Sequence, residues 1–232
     1  MSWETKKDYA GLAGDLLKVK ESDPGRSSQF LEKLGQNGTI AATKLYGEKS
    51  GTASTTYTIL KAGKLKIQPG KVTTVDSERY ALQNVVYTKS AGGEPTLVAN
   101  SVRIEDTTDG VDQMFEEVEI DIDPEETAEF CIDCATVSGS GCEVTEVATT
   151  VGCTVNLHTI NGDPVASGVH TGKIEVDITI GKYGDAEPTV EAKQGWEVAQ
   201  NPQGADPDSD MPSLTAKVMK PLAKAQPIAK AQ

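Results

Sequence analysis

The feature that most constrains this chain is the alternating run that closes residues 161–180, N-G-D-P-V-A-S-G-V-H-T-G-K-I-E-V-D-I-T-I. Ile174, Val176, Ile178 and Ile180 fall on one side of an extended strand, and Glu175, Asp177 and Thr179 on the other. A period of two buries one face in a core and leaves the other for water or a partner. A similar phrase occupies residues 37–59, N-G-T-I-A-A-T-K-L-Y-G-E-K-S-G-T-A-S-T-T-Y-T-I. Each opens on Asn-Gly, continues through small apolar residues, turns at Gly and ends in an alternating strand.

A second pair reinforces the first: A-G-G-E-P-T-L-V-A at 91–99 and G-D-A-E-P-T-V-E-A at 184–192. The offsets differ, so the first half must hold extra strands around residues 60–84. Two readings are open: a duplicated subunit, or unrelated hairpins that share turn chemistry.

The rest of the chain also reads as strands separated by turns. In the first half these are 40–45, 54–60, 65–67, 71–75, 80–88 with a bulge near Asn84, and 96–104. Val118, Ile120 and Ile122 alternate against Glu117, Glu119, Asp121 and Asp123, and Pro124 ends that run because it cannot donate in a ladder. Strands follow at 142–147, 153–159, 173–180, 189–192, 196–199 and 213–219. Turn signals stand at Ser22-Asp23-Pro24-Gly25, Gln68-Pro69-Gly70-Lys71 and residues 91–95. Short helices are expected at 28–34, where Phe30, Leu31 and Leu34 share a side, and at 125–134 behind Pro124. Tyr9, Leu12 and Leu16 have helical spacing, interrupted by Gly11 and Gly14.

The expected class is therefore mainly β, an antiparallel sandwich or barrel with a short helix or two and extended arms at both ends. Five regions result: an N-terminal arm at 1–35, a first β region at 36–123, an acidic connector at 124–141, a second β region at 142–220 and a flexible tail at 221–232. The tail repeats itself, P-L-A-K-A-Q followed by P-I-A-K-A-Q, and two prolines with few apolar residues cannot offset the entropy of ordering it alone. It reads as a basic arm that docks on a neighbouring subunit.

Charge narrows the function. Of the net −13, twelve acids and no base fall between Glu105 and Glu129. Such a surface repels phosphates, which argues against a sequence-specific DNA reader and suits a conduit through which DNA slides. No apolar run reaches membrane-spanning length, and the first residues lack a signal-peptide core, so a soluble protein made in a cytoplasm is expected.

Candidate sites for chemistry are sparse. Cys131, Cys134, Cys142 and Cys153 could supply four thiolates to zinc, but the second pair is widely spaced and sits in strands, which favours ordinary buried cysteines in a reduced compartment. Asp206, Asp208 and Asp210 have the alternate-acid spacing of a calcium loop without its Gly and distal Glu, so they are weak metal candidates and no metal or cofactor is expected. His158 and His170 have no nucleophile context around them, and no catalytic residue is assigned. Glu117, Glu119, Asp121, Asp123, Glu175 and Asp177 stand out instead as residues for a lumen or a subunit interface.

Residues 65–106, with L-K-I-Q-P-G-K-V and Y-A-L-Q-N-V-V-Y-T-K-S-A-G-G-E-P-T-L-V-A-N-S-V-R-I-E-D, resemble structural proteins from the tail region of tailed bacteriophages and prophages. Residues 181–222, with E-P-T, G-W-E-V and D-P-D-S-D-M-P-S-L-T-A-K-V, share that resemblance. It implies a tail-tube type of subunit whose sheets join into an inner barrel, in homo-oligomeric rings (hexamer or trimer) that contact other tail proteins and pass DNA without binding it specifically. The expected location is the virion tail. A baseplate hub, a head–tail connector, a capsid decoration protein and a carbohydrate-binding β-sandwich are the competing expectations.

Overall fold

A computed structural model describes residues 6–34, 40–49, 52–104, 115–125, 130, 132–160, 163–204 and 213–225, with side chains described outside 26–49 and 156–169. Every regular element among the described residues is a β-strand. The first half contains β1 (Leu17–Asp23), β2 (Arg26–Leu34), β3 (Ile40–Lys49), β4 (Thr52–Ile59), β5 (Gly63–Ile67), β6 (Val72–Val75), β7 (Glu78–Ser90) and β8 (Thr96–Ile104). β9 (Val118–Ile122) and β10 (Ala135–Ser138) lie between the halves. The second half contains β11 (Cys142–Ile160), β12 (Asp163–Lys182), β13 (Thr189–Ala192), β14 (Glu197–Gly204) and β15 (Ser213–Pro221).

One antiparallel sheet of nine strands carries the molecule. Its order is β1-β4-β8-β7-β11-β12-β15-β14, with β6 attached to β7. The two halves repeat a single topology. In each, a long hairpin (β1/β4 or β11/β12) is followed by a second hairpin whose last strand returns to pair with it, giving β1-β4-β8-β7 and then β11-β12-β15-β14. The halves meet where β7 pairs with β11 from Asn84↔Gly152 to Ser90↔Glu146, so both β regions read from the sequence share one sheet.

The opening sequence pair gains a structural meaning here. Residues 37–38 fall in sequence between β2 and β3, and residues 161–162 between β11 and β12, so each Asn-Gly pair separates two strands that pair with each other and itself lies outside the described residues. The second pair does not survive. Glu94-Pro95-Thr96 leads into β8 of the main sheet, whereas Glu187-Pro188-Thr189 leads into β13, which pairs with β10 in a separate sheet.

Two small sheets cover one face of the large one, and each closes a core. β5 and β9 lie over the first half, where Tyr57, Ile67, Leu82, Val85, Leu97 and Ile122 are buried together. β10 and β13 lie over the second half, where Ala135 and Val190 meet Val176, Ile178, Ile180 and Val218. Ile174, Val176, Ile178 and Ile180 are all buried, as their alternation requires. Trp196 touches both cores.

Two helical expectations are corrected, and a third lies largely outside the described residues. Residues 28–34 belong to β2, paired with β3 in a register that sets Phe30 opposite Leu45. The segment holding Tyr9, Leu12 and Leu16 is a series of bends organised by Asp8, whose carboxylate accepts the backbone N–H groups of Ala10 (3.1 Å), Gly11 (2.8 Å) and Ala13 (2.7 Å). The Tyr57 hydroxyl also donates to Asp8, and burial, then Asp8, hold that phenol above its ordinary range. The described residues of 125–134 carry no helix, and 126–129 and 131 lie outside them.

The bulge expected near Asn84 is present as a register shift between Leu82 and Asn84. At Gln68-Pro69-Gly70-Lys71 the Lys71 N–H donates to the Gln68 carbonyl (3.1 Å), and Gly70 takes φ 85, which glycine adopts without penalty. β6 and β7 are joined by Asp76 and Ser77, both at positive φ, the pattern of a type I′ hairpin turn.

Candidate functional site

The large sheet is longer than the strands that support it. β11 has β7 beside it only as far as Gly152, and β12 has β15 only from Lys173 onward. Beyond those pairings residues 153–160 and 163–172 pair only with each other among the described residues, with Cys153 and Val155 still packed on the core and β12 passing close to β8. The other long hairpin does the same: past β1 and β4 it continues as β2 and β3, which pair only with each other among the described residues. An isolated two-stranded ribbon is marginal in water, and its outer edges carry unpaired backbone donors and acceptors. Two such ribbons on one sheet, with β12 running close to β3, form a surface suited to pairing with other chains.

At the root of the second ribbon, Gly172 is pressed against a buried aromatic ring. A Cβ at Gly172 would sit 2.4 Å from Cδ1 of Phe115, which is 1% exposed. The Gly172 carbonyl accepts the Leu222 N–H (2.8 Å). Beyond it Phe115 bridges Lys224, and Glu116 and Ala223 bond through their backbones (3.0 Å). The first copy of the tail repeat is thus docked as a short strand, with Leu222 buried in the core.

The acidic residues singled out in the sequence divide between two layers. Glu117, Glu119, Asp121 and Asp123 lie on or beside β9 in the covering β5/β9 sheet. There Lys66 pairs with Glu117 (2.9 Å) and Glu119 (3.7 Å), Lys64 with Glu119 (3.8 Å), and Lys89 with Asp123 (3.9 Å). Glu175 and Asp177 lie on the opposite face of β12 from its buried isoleucines. Glu175 pairs with Lys173 and Lys217, and Lys217 reaches Asp177 at 3.4 Å. Burial alone would raise the Glu175 carboxyl, but the two ammonium groups outweigh it and hold it below the ordinary carboxylate range. Lys217 is correspondingly raised, chiefly by its hydrogen bond to Glu175.

Between the two covering sheets a slot of about 620 Å³ opens onto the large sheet. Val147, Ile174 and Val176 form its apolar floor, with Trp196 at its side. One wall is β9, from Val118 to Ile122, and the other is the segment of Phe130, Ile132 and Cys134 that enters β10. Glu119, Asp121, Asp123 and Asp133 stand around it with Lys89. Nothing in the local pattern of any one segment announced this slot, because its residues come from seven separate stretches of chain.

No family model and no curated protein matches this sequence. The geometry therefore stands by itself. Cys134 and Cys153 are buried free thiols, Cys142 is a half-buried one, and Cys131 lies outside the described residues. Burial raises the Cys134 thiol and pushes Cys153 up to about 12. Among the described residues no group of three or more His, Cys, Asp or Glu is placed to hold a metal. Asp206, Asp208 and Asp210 lie outside those residues, as does the side chain of His158, while His170 is exposed. Among the described residues no helix is long and apolar enough to cross a membrane.

Proposed function

We propose that this chain is a virion structural protein of a tailed bacteriophage, a tail-tube subunit whose copies close into rings and stack. The observation that carries this reading is the pair of ribbons rooted in one sheet, β2/β3 and the outer part of β11/β12. Side-by-side pairing between copies would satisfy the free edges of both ribbons and turn marginal hairpins into a continuous barrel. In this reading the role is structural rather than catalytic, and a net charge of −13 keeps DNA moving through the bore without specific binding. The cluster of Glu175, Asp177 and Lys217 serves as a polar seam between copies.

The repeated strand order favours a second placement. A baseplate hub could use three copies of a two-part subunit where a tube uses six simpler ones.

Negative-stain microscopy of the purified protein tests both. Rings or hollow tubes support the proposal, and the symmetry of their class averages separates tube from hub. A chain that stays monomeric at high concentration overturns it. Replacing residues 27–48 by a short turn should keep the sheet folded and abolish rings.

A further inference from the structure

We propose that the slot between the covering sheets is a strand-acceptor site, and that its occupant is the terminal repeat Pro227–Gln232 of a neighbouring copy. β9 pairs with β5 along one edge only, and β10 pairs only with β13, among the described residues. A strand laid between β9 and the segment entering β10 would join two two-stranded sheets into one covering layer. Addition of a strand to an open sheet edge is a common mode of peptide capture, in which backbone bonds give affinity and alternate side chains give specificity.

The first tail repeat shows the recognition chemistry. Its Leu222 fills an apolar socket while its backbone pairs with Phe115 and Glu116, immediately before β9. The second repeat keeps every element, with Ile228 in place of Leu222 and Lys230 in place of Lys224. Ile228 matches the floor of Val147, Ile174 and Val176, and Lys230 matches the four carboxylates around the slot. Six extended residues span about 20 Å, enough to run the length of the five-residue β9.

Chain direction selects a neighbour as the donor. The first repeat runs antiparallel to Phe115–Glu116, with Lys224 opposite Phe115 and Ala223 opposite Glu116. That direction carries the chain at Ala225 away from β9 and from the slot of its own chain.

The test mixes one chain carrying Ile120→Cys with another carrying Ile228→Cys and oxidises them, with the disulfide mapped by mass spectrometry. Linkage of position 120 to position 228 between chains is expected. Tyr183→Cys, at a side chain 55% exposed and outside the slot, should give none. Ending the chain at Gln226, or introducing Ala229→Pro in the tail, should weaken self-association about tenfold or more in sedimentation, and neither change touches the folded sheets. Equal linkage to position 183, linkage only within single chains carrying both cysteines, or undiminished association of the shortened chain would overturn the proposal. Rings formed by the shortened chain would leave the tube reading standing without the slot. Tail-dependent association without rings would do the reverse.

Discussion

The hydroxyl of Tyr87 holds the backbone of Asp123 from both sides, donating to its carbonyl (3.2 Å) and accepting from its N–H (3.1 Å). Tyr87 lies in β7 of the large sheet and Asp123 directly follows β9, so this exchange fastens the covering β5/β9 sheet to the large sheet at the end of the slot. Burial raises the Tyr87 phenol, which keeps the hydroxyl protonated and able to donate. Tyr87→Phe should cost about 1–3 kcal/mol, because it leaves a backbone donor and acceptor without their partner. Chemical denaturation checks the loss, and hydrogen exchange should show it concentrated in β9.

Gly172→Ala should destabilise the fold by about 1–3 kcal/mol. The added methyl meets the Phe115 ring, and that ring is buried, so the core around it must shift. The double variant with Phe115→Leu should recover part of the loss, which thermal melts of the four combinations will show.

Acid should weaken the protein through Glu175. Its folded carboxyl sits below its unfolded value, so its contribution is complete above about pH 4.5 and is lost as pH falls through the lower folded value. Glu175→Gln should flatten this part of the profile. Urea midpoints measured between pH 6 and pH 3 on both proteins decide it.

Cys153 should resist alkylation at pH 8 in the folded protein. Its thiol is buried, is pushed up to about 12, and lies 3.8 Å from the Leu82 carbonyl. The half-buried Cys142 should label faster than Cys134 or Cys153, with mass spectrometry locating the label.

Where a strand carries a clear alternation or a β-rich run between turn signals, its residues announce it. β8 follows the expected 96–104, and the alternation of Val118, Ile120 and Ile122 marks β9. The failures arise where pairing with another strand overrides the local pattern. Phe30, Leu31 and Leu34 have helical spacing, but β3 offers residues 26–34 a full ladder and pairing overrides that preference. Gly152 suggests a break between strands at 142–147 and 153–159, yet β11 runs through it. The glycine is there for close approach, since a Cβ would meet the Gln83 carbonyl at 2.9 Å beside the β7 bulge. The acidic residues were visible from composition, but their division between β9 and β12 was not. The slot was hidden for a further reason: it is the space left between two small sheets whose paired strands lie far apart in sequence.

The two ribbons have a geometric consequence for any ring closed through them. Each copy inserts four strands, and strands lie about 4.8 Å apart, so each copy adds about 19 Å to the circumference, before any tilt widens it further. Bore size then changes only in whole-subunit steps. A mutation can strengthen or loosen such a channel, but it cannot tune the diameter continuously.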